Sequence, residues 1–229
     1  MENLVTGDES FRGDRKLPLK SPLARAERRL IDYWVPKFPR WIEGYHLTLA
    51  TIPWSAGLIL AGWLGRRNVQ WLWLASGMMF LQWFTDSFDG SLGKHRDTGI
   101  PKWGYYMDHL LDFVFMSSAM IGYALLFNGR ARFLFLIMAP LYGAFMVNSY
   151  LSFAATSEFK ITYLGLGPTE ARLALILFNT AIVFFGIGFV EKALPAAVGV
   201  MLIALCVVVY RTQKYVWRVD MDDKRRRGG

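Results

Sequence analysis

The chain has 229 residues, of which 54% are hydrophobic and 16% aromatic, and a formal net charge of +8. The apolar residues come in blocks of about 20, the length that crosses a hydrocarbon layer roughly 30 Å thick, which excludes an ordinary soluble core and makes the bilayer the expected solvent. A single cysteine, Cys206, excludes a disulfide framework and a cysteine metal site, and reads as a small buried hydrophobe.

Residues 1–21 are polar, charged and proline-containing, and are expected to form a flexible arm on the aqueous side. The first forty residues hold no apolar core followed by a small-residue cleavage site and do not read as a removable signal peptide. Over 22–42, Leu23, Leu30, Ile31, Trp34, Val35 and Phe38 recur at helical spacing opposite Arg25, Arg28, Arg29 and Asp32. This pattern predicts an amphipathic juxtamembrane helix in the membrane interface, with Trp34 and Trp41 at headgroup depth; the alternative is a helix packed on protein.

Six transmembrane helices are expected at about 44–64, 68–88, 104–127, 131–154, 169–189 and 192–210, giving an all-α membrane domain over 43–211 and a basic tail over 212–229. The second ends and the third begins around a polar loop running from Asp86 to Lys102. An even number of spans puts both termini on one side. Of the 26 lysines and arginines, only Arg66, Arg67, Arg130, Arg132 and Lys192 fall in connections on the other side, so the termini and the Asp-rich loop are expected in the cytoplasm. Basic residues that flank spans favour anionic lipid as partner and argue against nucleic acid; the run from Lys224 to Arg227 reads as a solvated topogenic tail.

Ionisable groups beside membrane spans are costly, so a cluster of them needs a reason. Asp86 and Asp89 are three apart and Asp108 and Asp112 four apart, which puts each pair on one face of its helix. Four ionised carboxylates brought together repel, and their oxygen-only donor set suits hard divalent ions such as Mg2+, Mn2+ or Ca2+, two of which carboxylates can bridge. Gly90, Gly93 and Gly104 permit close approach of backbone or ligand. Taken singly, the same residues also read as a solvated helix end, a turn and interfacial charges.

The run Asp86-x-x-Asp89-Gly90-x-x-Gly93-Lys94, then nine intervening residues and Gly104-x-x-x-Asp108-x-x-x-Asp112, resembles the signature of the CDP-alcohol phosphotransferase superfamily. So does the six-helix layout behind an interfacial helix. The resemblance implies an enzyme of phospholipid synthesis that cleaves the pyrophosphate of a CDP-linked alcohol donor, transfers its phosphoalcohol part to an acceptor hydroxyl on a lipid or polyol, and releases CMP. It further implies two Mg2+ or Mn2+ ions, with Asp86, Asp89 and Asp108 as metal ligands and Asp112, near a metal, as the general base. A homodimer is implied too, and Gly186, Gly188, Ala196, Ala197 and Gly199 permit close helix contact. Where the family has Ala-Arg this chain has Gly93-Lys94, which keeps the charge but loses the planar guanidinium fork, so a different grip on the donor is expected, with help from Arg96.

In Gly167-Pro168-Thr169-Glu170-Ala171-Arg172, Thr169 suits an N-cap and Glu170 a first turn, and Glu170 and Arg172 are also candidates for lining the substrate cavity. Asn148 bonds between helices or faces that cavity. Lys160 and Tyr163 mark the interface or meet an acceptor headgroup, while His46, His95 and His109 make no metal set. The competing readings are a divalent-cation transporter and a non-catalytic nucleotide- or lipid-binding relative. A transporter needs a polar path through the outer halves of the helices, which this sequence lacks.

Overall fold

The computed structural model describes residues 24–156 and 168–227. In chain order these form α1 (Ala24–Trp34), a 3-10 turn (Val35–Lys37), α2 (Gly44–Leu49), α3 (Thr51–Gly65), a second 3-10 turn (Val69–Trp71), α4 (Leu72–Arg96), α5 (Pro101–Leu126), α6 (Gly129–Thr156), α7 (Pro168–Phe185) and α8 (Gly188–Arg227). No strand occurs among the described residues. The expectations for 1–21, Leu23, Lys160, Tyr163 and Gly167 lie outside them.

Among the described residues, four helices suffice by length and composition to cross a membrane: Gly44–Gly65 (α2 continuing into α3), α5, α6 and α8. The protein is an all-α integral membrane protein. The two remaining long helices carry partly or fully buried charge, α4 at Asp86, Asp89 and Arg96, and α7 at Glu170 and Arg172.

The bundle closes around α3, α4 and α5, where Leu58, Leu72, Met79, Phe115 and Tyr123 are buried. A Cβ at Gly62 would lie 2.0 Å from Gly122 O, and one at Gly122 would lie 2.7 Å from Leu58 O, so α3 and α5 touch backbone to backbone. A buried polar bridge crosses the same core. Tyr123 Oη of α5 donates to Asn179 Oδ1 of α7 at 2.7 Å, and Asn179 Nδ2 donates to Ser76 Oγ of α4 at 3.2 Å. Tyr123 and Asn179 are buried, so interhelical bonds of this kind satisfy polar groups that solvent does not reach. A smaller apolar cluster of Val35, Leu47, Phe88 and Leu92 seats the chain after α1 against α2 and the end of α4.

Several expectations change. The stretch from Asp86 is not a loop: α4 continues through Gly90 and Gly93 to Arg96, and only residues 97–100 separate it from α5. The helix stops where Asp97 takes a left-handed conformation (φ 55°), with Thr98 N–H bonded to Gly93 O and Asp97 N–H to Lys94 O, a Schellman arrangement. Between 22 and 42 the described α-helix covers only Ala24–Trp34. α8 runs on to Arg227, so most of the basic tail is helical. Cys206, expected to be buried, is exposed on α8, where an apolar side chain is at home in lipid.

Candidate active site

Asp86 lies seven residues before Gly93 on α4, and Asp108 and Asp112 lie one turn apart on α5. Their helices bring Asp86, Asp108 and Asp112 together: each offers a carboxylate oxygen, and these atoms lie within 4.8 Å of one another. All three side chains are half-buried. Three like charges at this spacing repel unless cations sit among them.

One such cation comes from α7. Arg172, only 7% exposed, donates through Nη1 to Asp86 Oδ2 at 2.8 Å and through Nη2 to Asp112 Oδ1 at 3.2 Å. A single guanidinium leaves the cluster negative overall. His109 adds little: its Nδ1 donates to Tyr105 O at 2.7 Å and stays 3.9 Å from Asp108 Oδ2. Gln82, one turn before Asp86 and 1% exposed, donates through Nε2 to Asp112 Oδ1 at 3.4 Å. Its Oε1 is buried without a hydrogen-bond partner among the described residues.

Asp89 stands outside the group of three and is held from the other side. Thr48 Oγ1 of α2 donates to Asp89 Oδ2 at 2.6 Å. Here α2 presses on α4 closely enough that a Cβ at Gly44 would lie 2.6 Å from Asp89 O.

The glycines divide by role. A Cβ at Gly93 would lie 3.2 Å from Gly99 Cα, so Gly93 lets the chain fold back after α4. Gly90 and Gly104 face open space, with nothing within 4 Å of a built Cβ. Lys94 is exposed. Arg96 is turned to the chain between α1 and α2: Nη2 donates to Phe38 O at 3.0 Å and Pro39 O at 2.9 Å, and Nη1 to Arg40 O at 3.2 Å, to Ile42 O and to Glu43 Oε1 at 3.4 Å. Glu170 is half-buried in the first turn of α7. Asn148 Nδ2 donates to Thr212 Oγ1 of α8 at 3.2 Å, a bond between helices.

The sequence therefore pointed to the three clustered aspartates and to Arg172, and missed Gln82 and Thr48. Gln82 carried a signal, an uncharged polar residue four before Asp86 and so on its face. Thr48 carried none beyond being a hydroxyl in an apolar segment.

The described residues thus form an all-helical membrane protein whose α4 and α5 bring an acidic cluster of oxygen donors together. The chain matches the family model for CDP-alcohol phosphatidyltransferase over residues 46–211, and it belongs to that family. The match spans α2 through most of α8 and so includes all four aspartates and Arg172. No curated protein and no solved structure matches the chain. The family is a class of transferases that move a phosphoalcohol group from a CDP-alcohol in phospholipid synthesis.

Proposed function

We propose that this protein is a metal-dependent CDP-alcohol phosphotransferase, moving a phosphatidyl or similar phosphoalcohol group from a CDP-alcohol to the hydroxyl of a lipid or polyol and releasing CMP. The observation that carries the reading is the convergence of Asp86, Asp108 and Asp112 beside Arg172. The donors are all oxygen and the cluster keeps excess negative charge, which fits a hard divalent cation. Asp86, Asp89, Asp108 and Asp112 are the residues that would hold it, as Mg2+ or Mn2+, and four carboxylates are enough to serve two such ions. Bound there, such a metal would supply positive charge to offset the negative charge developing on the pyrophosphate as CMP departs.

The chain's own groups supply alignment. Arg172 and Gln82 both bond Asp112 Oδ1, which fixes that carboxylate and leaves Oδ2 to accept the proton of the attacking hydroxyl. The bare faces of Gly90 and Gly104 admit the donor closely, with Lys94 and Glu170 at the rim. Thr48 orients Asp89. Arg96, bonded to Phe38, Pro39, Arg40, Ile42 and Glu43, serves the donor by shaping the chain before α2 and not by gripping it.

The layout we infer has α1 in the membrane interface, a six-helix catalytic domain over 43–211, and the active site and both termini in the cytoplasm, following the distribution of basic residues. Ala196 and Ala197 are exposed on α8, and a Cβ at Gly199 would meet nothing within 4 Å among the described residues, which suits a homodimer contact.

The test gives purified protein a labelled CDP-alcohol, Mg2+ or Mn2+ and a panel of acceptors, and follows CMP and labelled lipid. Metal-dependent release of both supports the reading. Ion flux without CMP supports a transporter, and cytidine nucleotide binding without turnover on every acceptor supports a non-catalytic relative.

A further inference from the structure

Glu27 is the one acidic residue in the first turn of α1, flanked by the exposed Arg25, Arg28 and Arg29, yet its side chain is half-buried and turned toward the bundle. Both carboxylate oxygens are used. Oε1 accepts from Ser87 Oγ of α4 at 2.8 Å, and Oε2 accepts from Thr169 Oγ1 of α7 at 3.1 Å. Ser87 adjoins Asp86, and Thr169 lies three residues, about one turn, before Arg172. A single side chain of α1 thus bridges the two helices whose Arg172–Asp86 pair lies in the site.

The geometry of α7 makes this bridge consequential. Seven residues beyond Arg172, and so on the same face, Asn179 bonds Ser76 of α4 and fixes the deep end of the α4–α7 pair. The shallow end is fixed by Glu27 through Thr169 and Ser87. Arg172 sits between the two ties. A carboxylate is rigid and planar, and bonds from hydroxyls to a charged acceptor are stronger than neutral ones, so the two bonds together constrain separation and register as a single bond does not.

We propose that Glu27 is a positioning residue: by tying α1 to α4 and α7 it sets the register at which Arg172 reaches Asp86 and Asp112, and it acts on the transfer through Arg172. The kinetic part of this proposal rests on the transferase reading above; the structural part does not.

The test compares the purified full chain with Glu27→Ala, Glu27→Gln, the Ser87→Ala/Thr169→Ala double variant and the triple variant. Two readouts are taken, hydrogen exchange without substrate, and kcat and KM for a CDP-alcohol. Glu27→Ala is expected to speed exchange in the first two turns of α7 and to lower kcat roughly tenfold with little change in KM. The double variant reproduces both effects, and the triple variant loses nothing further because the same two bonds are already gone. Glu27→Gln keeps the shape, one acceptor, and an amide N–H that can donate to the other hydroxyl, so both ties persist and most of kcat is recovered.

Wild-type exchange and kcat in Glu27→Ala, or losses that add in the triple variant, overturn the proposal. So does a general loss of thermal stability with kcat per folded molecule unchanged. If Glu27→Ala does not fold, the double variant decides the same question. Exchange needs no turnover, so unchanged α7 protection counts against Glu27 alone, whereas absent CMP release by the wild type counts against the transferase reading.

Discussion

Arg172 Nη1 lies 2.8 Å from Asp86 Oδ2 while its Nη2 lies 3.2 Å from Asp112 Oδ1, so one guanidinium from α7 joins the aspartates of α4 and α5. Its two donors diverge in a fixed plane, a shape that lysine lacks. Arg172→Lys is expected to keep the charge but hold one carboxylate at a time, lowering CMP release at least ~10-fold, since bonds to charged groups are worth about 1.5–3 kcal/mol. Arg172→Ala leaves the aspartates uncompensated and lowers the melting temperature as well. Rate assays and thermal unfolding in detergent check the two outcomes.

Backbone contact between α3 and α5 gives a second prediction. Gly62→Ala puts a methyl group 2.0 Å from Gly122 O, which backbone cannot yield without moving α5 and the aspartates it carries. A stability loss of about 1–3 kcal/mol is expected, with activity falling in parallel. Gly77→Ala on α4 meets nothing within 4 Å and is expected to be neutral or stabilising by up to about 1 kcal/mol. Thermal unfolding of the two variants side by side makes the comparison.

Arg96→Ala separates a clamp from a substrate grip. It strips partners from Phe38 O, Pro39 O, Arg40 O, Ile42 O and Glu43, so the substrate-free protein is expected to lose about 1–3 kcal/mol of stability. An Arg96 that touched only the donor would raise KM and leave substrate-free unfolding untouched.

Thr48→Val keeps the shape of the side chain and removes the 2.6 Å bond to Asp89. Partners of metal ligands typically contribute ten- to a hundredfold to affinity, so Mn2+ binding followed by electron paramagnetic resonance is expected to weaken by about tenfold.

The aspartates were legible because membrane cost and helical period are both local: Asp86, Asp89, Asp108 and Asp112 stand out from the apolar runs around them, and their spacing assigns faces. The end of α4 was not. Gly90 and Gly93 each cost about 1 kcal/mol in a helix interior and so signal a turn, but packing of Phe88 and Leu92 under Val35 and Leu47 outweighs that preference. Arg96, Thr48 and Glu27 find partners between 41 and 142 residues away, distances at which no period in the chain applies. Arg172 was visible as a charge in an apolar helix, but its bond to two aspartates on different helices exists only once α4, α5 and α7 have packed.

Metal-dependent transfer at the aspartate cluster is measured as CMP release from a labelled CDP-alcohol after chelator treatment and readdition of Mn2+, for the wild type and Asp112→Asn together. On this mechanism the wild type loses CMP release with the metal and regains it on readdition, while Asp112→Asn still binds Mn2+ yet releases CMP at least ~100-fold more slowly, the scale on which a positioned general base acts. CMP release that persists without divalent metal, or full activity in Asp112→Asn, would contradict it.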